Sequence, residues 1–528
     1  MRFLKCSLFV IFASTFLSIE GYRILGVIPF SGTSHFVMFE RLMRILAERG
    51  HHVDVMSPIS MKNPPPNYRH VVNWEGSVPV IRNNVSYDFA VRELGGKSLV
   101  HTVATTFGTD LCDLMGLPNF QEFIKNLPKN PPYDLAIIEY FGSPCYLALG
   151  KYLGVPVIAF TTSPMWPWAN DAVANPDNPA YIANTYSGLF GSLNFWKRVK
   201  NTLSLTQNKW LFNYYTAGQD DKIKKYLGPK AGSLEEARTN LSLVLVNSHY
   251  SLQGVRPFTT NVIEVGGLHI DDNGPPLQKD LQKWLDDSTD GFVCISFGSM
   301  LMLETFPREV LLGIYSSLAK LAPTRVLMKI VKPELLPDGL PSNVMTLPWI
   351  AQYSVLKHKN IRAFVTHGGL MGTQEAVQAG VPMIGVPIFG DQHQNMDLYT
   401  AKHVAVPLSL ADFNEERLDA AFDLVLRDPS YAKAMKKLSA EFRDRPLNPV
   451  DTAIFWVEYV GRHGGEIIRS PAMDLTWWQI SLIDVYGALI LSAALILYLL
   501  KTMIARIIIA VKSATNGEKR TTKSKKNK

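Results

Sequence analysis

Cysteine is scarce, with four in 528 residues. Cys6 falls in an N-terminal apolar stretch that reads as a removable leader, so Cys112, Cys145 and Cys294 remain. Three cannot all pair, and one disulfide at most excludes a disulfide-built scaffold. No G-x-G occurs among the 36 glycines. Without the dinucleotide fingerprint, a nicotinamide oxidoreductase is disfavoured. No Asp-x-Asp triplet occurs either, so the sequence implies no metal. Positive charge is nearly confined to one place. Residues 512–528 hold seven Lys or Arg against Glu518, a net of +6 out of +7 for the whole chain. The body is near neutral, which argues against a nucleic-acid-binding domain, since that needs a basic face.

What is present is apolar: 47% of residues are hydrophobic and 19% charged. The excess sits at the ends. Arg2 and Lys5 precede CSLFVIFASTFLSIEG, a secretory signal pattern, so residues 1–21 are expected to be removed. Near the other end, VYGALILSAALILYLL (485–500) has no charge. Trp477 and Trp478 precede it as an interfacial belt would, and Lys501 follows. A membrane span is expected over 480–505, with a basic cytosolic tail over 506–528. The last four residues, KKNK, resemble a dilysine retrieval signal. Together these predict a single-pass type I protein of the endoplasmic reticulum with a luminal body. The sequons at Asn84 and Asn240 suit that placement.

Strand-length apolar runs alternate with helical patterns, which predicts an α/β fold with parallel sheets. Residues 22–29, 53–56, 134–138 and 155–160 read as strands of a first domain. Residues 164–215 are rich in Trp, Tyr, Phe and Asn and read as helices and loops beside a cleft, open to an acceptor or to a membrane surface. Composition breaks at DDNGPP (271–276), the best linker. The expected domains are therefore 22–272 and 273–466, the second repeating the architecture of the first.

In THGGLMGTQEA (366–376), a buried strand ends in Gly368-Gly369 and a helix begins. In a doubly wound sheet that turn lies at the carboxyl end of a strand, where ligands bind. Unpaired amides at a helix start attract anions, and glycines let an anion approach the backbone. A diphosphate suits the turn, with His367 as a donor and Glu375 as an acceptor for ribose hydroxyls. Such a turn alone is equally served by a plain bend. Its neighbours add weight: Trp349 and Gln352 precede it, and Asp391, Gln392 and Asn395 follow on the next strand's carboxyl rim.

From Trp349 to Asn395 the chain resembles the signature segment of UDP-glycosyltransferases, most closely the animal membrane-bound branch. The resemblance extends over nearly the whole chain. It includes the Asn-Ser-His-Tyr segment at 247–250, Val265-Gly266-Gly267-Leu268 and Phe297-Gly298-Ser299. It implies a GT-B fold: two Rossmann-like domains facing a cleft, plus a C-terminal transmembrane helix. It also implies roles. Trp349 stacks on uracil and Gln352 contacts the nucleoside. Gly298, Ser299, His367, Gly368 and Gly369 hold the diphosphate, and Glu375 holds the ribose. Asp391 and Gln392 take sugar hydroxyls, and Arg256 lies near the nucleotide. Many relatives have Asn where this chain has Met371, so Met371 is left out of the ligand set.

His35, between the first strand and first helix, is the expected general base. A helix N-terminus disfavours an imidazolium, and neutral imidazole is the usual base near neutral pH. Taken alone, a loop histidine is more often merely solvated. The resemblance places an orienting acid after the strand that begins at Tyr133, where this chain has Glu139 instead of the family's Asp. The expected reaction is inverting transfer of a sugar, glucose, from UDP-glucose to a hydroxyl of a small lipophilic acceptor, with no further cofactor. Glucuronosyl transfer by the same mechanism is the alternative, and a luminal binding protein on the same fold is a third reading. A role in detoxification follows from the family alone, and the sequence leaves a homo-oligomer open.

Overall fold

The computed structural model describes residues 21–525 apart from 95–97, 128–131, 185–186, 190, 275 and 411–412. The expected signal peptide and the KKNK terminus therefore lie almost wholly outside the described residues. The described residues form two compact units that divide between Ser470 and Pro471.

The first unit contains two parallel sheets. In the first, β1 (Arg23–Val27), β2 (His52–Ser57), β3 (Tyr68–Asn73), β4 (Leu135–Glu139), β5 (Val157–Thr161), β6 (Leu241–Val246) and β7 (Val262–Glu264) run in the order β3-β2-β1-β4-β5-β6-β7. In the second, β8 (Phe292–Ser296), β9 (Arg325–Lys329), β10 (Val344–Leu347), β11 (Ile361–Thr366), β12 (Met383–Gly385) and β13 (Ala405–Pro407) run in the order β10-β9-β8-β11-β12-β13. The central strands LAIIE, VIAFT and LSLVLV are buried at every position. Unbroken apolar runs of this kind form strands covered on both faces, and such sheets are parallel.

Each sheet has a switch point, where strand order reverses: between β1 and β4 in the first, between β8 and β11 in the second. Ligands bind in the crevice that opens at the carboxyl ends there. The expected break at 271–276 falls between β7 and the helix Lys279–Asp286, outside both sheets. The sequence-based division ran the second domain to residue 466. The structure differs: helix Pro449–His463 packs on the first sheet, with Ala453, Ile454, Val457 and Val460 in one cluster with Phe39, Leu243 and Leu245. These four positions form one apolar helical stripe, and the face of β1, β4, β5 and β6 is the surface that covers it.

The single possible disulfide joins Cys112 to Cys145, and Cys294 is free and buried.

The second unit contains the helix Ile483–Lys525. Its segment Ile483–Asn516 is long and apolar enough to cross a membrane, and none of it is buried. The apolar stretch passes the expected limit at 505 because Ile507, Ile508, Ile509 and Val511 resume it beyond Arg506.

Candidate active site

The two switch points face one cleft of about 770 Å³. From the first sheet, β1 leads into helix Thr33–Glu48, whose first turn carries His35. Glu139 is the last residue of β4. Neighbouring parallel strands thus bring residues 104 apart in sequence into contact: His35 Nδ1 lies 2.6 Å from Glu139 Oε1. Thr162 Oγ1, just past β5, is 2.9 Å from the same nitrogen. With the hydrogen on Nδ1, the imidazole donates to the Glu139 carboxyl oxygen. Nε2 is then the nitrogen left for a ligand in the cleft. The ring stands edge-on to Phe30 and Phe141 at centroid distances of 4.6 and 4.8 Å. These rings exclude water from its sides, and Phe107 and Trp166 extend the apolar wall.

From the second sheet, β8 leads into the turn Gly298-Ser299 and β11 into His367-Gly368-Gly369. The His367 imidazole is pressed between the two turns. A Cβ at Gly298 would approach its Cε1 at 2.6 Å, and one at Gly369 would approach its Nε2 at 2.7 Å. Burial, with Lys329 nearby, pushes its pKa down to about 4, so the ring is neutral. Helix Leu370–Ala379 starts at Gly369 with no side-chain cap, leaving its first amides to a ligand. Glu375, one turn further along, accepts from Gln352 Nε2 at 2.6 Å, and burial raises its carboxyl to about 7. Gln392 Oε1 accepts from the amides of Ile388 and Phe389 and so fixes the loop after β12. Asp391, held by Asn395 Nδ2 at 2.8 Å, is raised by burial.

Of the sequence-derived residues, His35, Gly298, Ser299, Trp349, Gln352, His367, Gly369, Glu375, Asp391 and Gln392 line the cleft. Glu139 stands behind His35. Gly368 takes φ +83 and packs on Met396, shaping the turn from outside the cleft wall. Arg256 lines a separate small pocket with Gln253, Asp391 and Asn395 and is not among the residues that line the cleft. At the family's Asn position, the Met371 carbonyl accepts from His269 Nε2 at 3.2 Å.

Sequence reasoning missed Thr162, Lys329 and a strap. Lys329 ends β9 inside the cleft wall, and a lysine closing an apolar strand was the signal available. Its Nζ donates to Gly298 O at 2.6 Å and Asn83 Oδ1 at 2.7 Å. Burial lowers its pKa to about 8. The strap is residues 83–87 of the first domain, which bond to the second through Asn83 N to Ser299 O (2.8 Å), Val85 N to Met300 O (3.1 Å) and Met302 N to Val85 O (3.0 Å). Next to it, the Arg82 guanidinium sits 4.6 Å over the Trp349 ring.

The model of the family described as "UDP-glucoronosyl and UDP-glucosyl transferase" matches residues 119–524. UDP-glucosyltransferase 2 of Dactylopius coccus is 32% identical over 528 residues, covering 98% of this chain and 99% of that protein. UDP-glucuronosyltransferase 2A2 of Mus musculus is 30% identical over 482 residues, covering 87% and 89%. Among solved structures, the glycosyltransferase VinC in complex with DTDP superposes with TM-score 0.56 at 16% identity, covering 83% of this chain and 100% of VinC. That likeness carries the GT-B fold. The family match over residues 119–524 and the relatives aligned over most of their length show that the chain belongs to the UDP-glycosyltransferase family.

Proposed function

We propose that the chain transfers glucose from UDP-glucose to a hydroxyl of a small lipophilic acceptor, with inversion at the anomeric carbon and His35 as general base. One observation supports this above others: a histidine tied to a buried carboxylate faces a glycine-flanked helix start across a single cleft. The acceptor lies against Phe30, Phe107, Phe141 and Trp166. Its hydroxyl proton passes to His35 Nε2 as the oxygen bonds to the anomeric carbon. The bond from that carbon to the diphosphate oxygen breaks, and its electron pair leaves with UDP. Glu139 stabilises the imidazolium that forms, through the bond it already makes to Nδ1.

The leaving diphosphate needs positive charge, and the holders inferred from sequence are neutral. Helix Leu370–Ala379 supplies partial charge through its amides. Lys329 supplies a full one. It is buried, bonds to two neutral oxygens and has no carboxylate within ion-pair distance among the described residues. A buried cation without a counter-ion is costly until an anion arrives. Trp349 and Gln352 take the nucleoside, Glu375 the ribose, and Asp391 and Gln392 the sugar. The body is luminal in the endoplasmic reticulum, anchored by helix Ile483–Lys525.

The test is to incubate microsomes expressing the chain with UDP-glucose or UDP-glucuronate and a panel of phenols, following glycosides by mass spectrometry. Glucosides should dominate. Glucuronides instead would move the donor assignment, and absence of both products would overturn the transfer reading.

A further inference from the structure

Two segments that carry the family resemblance, 247–250 and 265–268, lie outside the cleft wall and meet at one helix. Helix Leu370–Ala379 opens at the glycine turn of the second sheet, and its Leu370, Met371, Gly372 and Glu375 line the cleft. Its other side docks on the first domain. Gln374 Nε2 donates to Asn247 Oδ1 at 2.9 Å, and His269 Nε2 donates to the Met371 carbonyl at 3.2 Å. The Met371 side chain packs on the apolar cluster that holds Leu245, Val265 and Leu268. Gly266 lets the helix come this close: a Cβ there would meet Ser248 O at 2.5 Å and Gln374 Nε2 at 3.3 Å.

Asn247 joins this helix to the neighbourhood of the base. It follows β6 and is fully buried. Its Nδ2 donates to Thr162 O at 2.8 Å while its Oδ1 accepts from Gln374. Thr162 is the residue whose Oγ1 lies 2.9 Å from His35 Nδ1. One side-chain amide thus spans from the residue beside the base to the helix of the donor side. Gln374 is fully buried too, and its Oε1 has no hydrogen-bond partner among the described residues. A half-satisfied buried amide stabilises less than an apolar side chain of similar size, so stability does not account for a glutamine there. A polar pair buried at a cost in stability can instead set the register between two packed elements. Neither Asn247 nor Gln374 lines the cleft.

We propose that the Asn247–Gln374 bond sets the separation between His35 and the donor helix, and that both residues are positioning residues for transfer. The proposal rests on reading His35 as the base and the helix start as the diphosphate site. The attacking oxygen at His35 and the leaving diphosphate at the helix must lie in line on opposite faces of one carbon. The span between the two domains decides whether they do, and a misplacement of about 1 Å is enough to cost about 100-fold in rate. The nucleotide contacts assigned to Lys329, Trp349, Gln352 and Glu375 all lie within the second domain and survive a change in that span. The aromatic wall for the acceptor lies within the first. The bond therefore acts on turnover and not on the binding of either ligand.

The test uses the full chain in phosphatidylcholine nanodiscs, as wild type, Asn247→Leu, Gln374→Met and the double variant. Turnover of UDP-glucose with a phenol is read beside UDP affinity by calorimetry. Nitroxides at Lys224→Cys in the first domain and Arg427→Cys in the second, both exposed, report the interdomain distance by double electron–electron resonance. Each single variant should lower kcat about 10- to 100-fold, keep UDP affinity and acceptor KM within twofold, and broaden the distance distribution. The double variant should be no worse than Asn247→Leu, because the two residues act through one bond. An unchanged kcat in a folded variant overturns the proposal. So does a fall in kcat with an unchanged distance distribution, or a joint loss of kcat, acceptor KM and UDP affinity. If Asn247→Leu does not fold, Gln374→Met decides by the same readings, since methionine is as good a helix former as glutamine. A wild-type chain that transfers no glucose overturns the reading of the site instead, and the distance measurement, which needs no turnover, still decides whether the bond holds the domains.

Discussion

Glu139, at the end of the strand paired with β1, reaches His35 Nδ1 at 2.6 Å. The reach works because Glu139 closes β4 and is 1% exposed, so its side chain has one direction to take. A hydrogen bond at Nδ1 leaves Nε2 as the free ring nitrogen of a residue that lines the cleft.

Replacing His35 with Ala should abolish glucosyl transfer, since a positioned base contributes about 10²–10⁴-fold. UDP affinity by calorimetry should stay within twofold, because no nucleotide contact is assigned to His35. Wild-type turnover in this variant would reject the base assignment.

Glu139→Asp should hurt transfer although it restores the family's residue type. Shortening the side chain by one carbon opens the 2.6 Å contact by about 1.5 Å, the length of a C–C bond. We expect kcat to fall about tenfold with KM for acceptor unchanged, in line with the loss of an orienting hydrogen bond. An unaltered kcat would mean that Thr162 alone orients the ring.

Lys329→Met should weaken UDP binding by about 2 kcal/mol, the range of a hydrogen bond to a charged group, or roughly 30-fold. Uridine, which lacks phosphates, should bind as before. Equal losses for both ligands would make Lys329 a tether of the strap and not a counter-charge.

Glu375 predicts a pH dependence. Its carboxyl titrates near 7 in the fold against the usual 4.5, because burial penalises the charge. A raised pKa means the stability contribution is complete below about 4.5 and is lost as pH rises through 7. At pH 8 the ionised group should cost up to about 3 kcal/mol relative to the acid form. Glu375→Gln should therefore raise Tm at pH 8 more than at pH 5, while weakening uridine binding. A Tm difference independent of pH would contradict the burial argument.

The Cys112–Cys145 disulfide closes a loop of 33 residues beside β4. Removing both cysteines should cost about 4 kcal/mol by loop entropy, read as a fall in denaturation midpoint. The acceptor KM should change little. A large KM change would place that loop in the acceptor site.

The sequence alone located β1, β2, β4 and β5, since buried parallel strands are apolar runs, and the glycine turn with its following helix, whose signal is local; β3, β6 and β7 of the same sheet went unread. Its resemblance to a family supplied the residues of the donor side, most of which do line one cleft. It could not decide what depends on strand order. That β4 lies beside β1, and not beside β3, is what joins Glu139 to His35. That β9 flanks β8 is what sets Lys329 behind Gly298. The return of helix Pro449–His463 to the first sheet was likewise hidden. An apolar stripe announces that a helix has a partner, but only the packed chain shows which sheet that partner is.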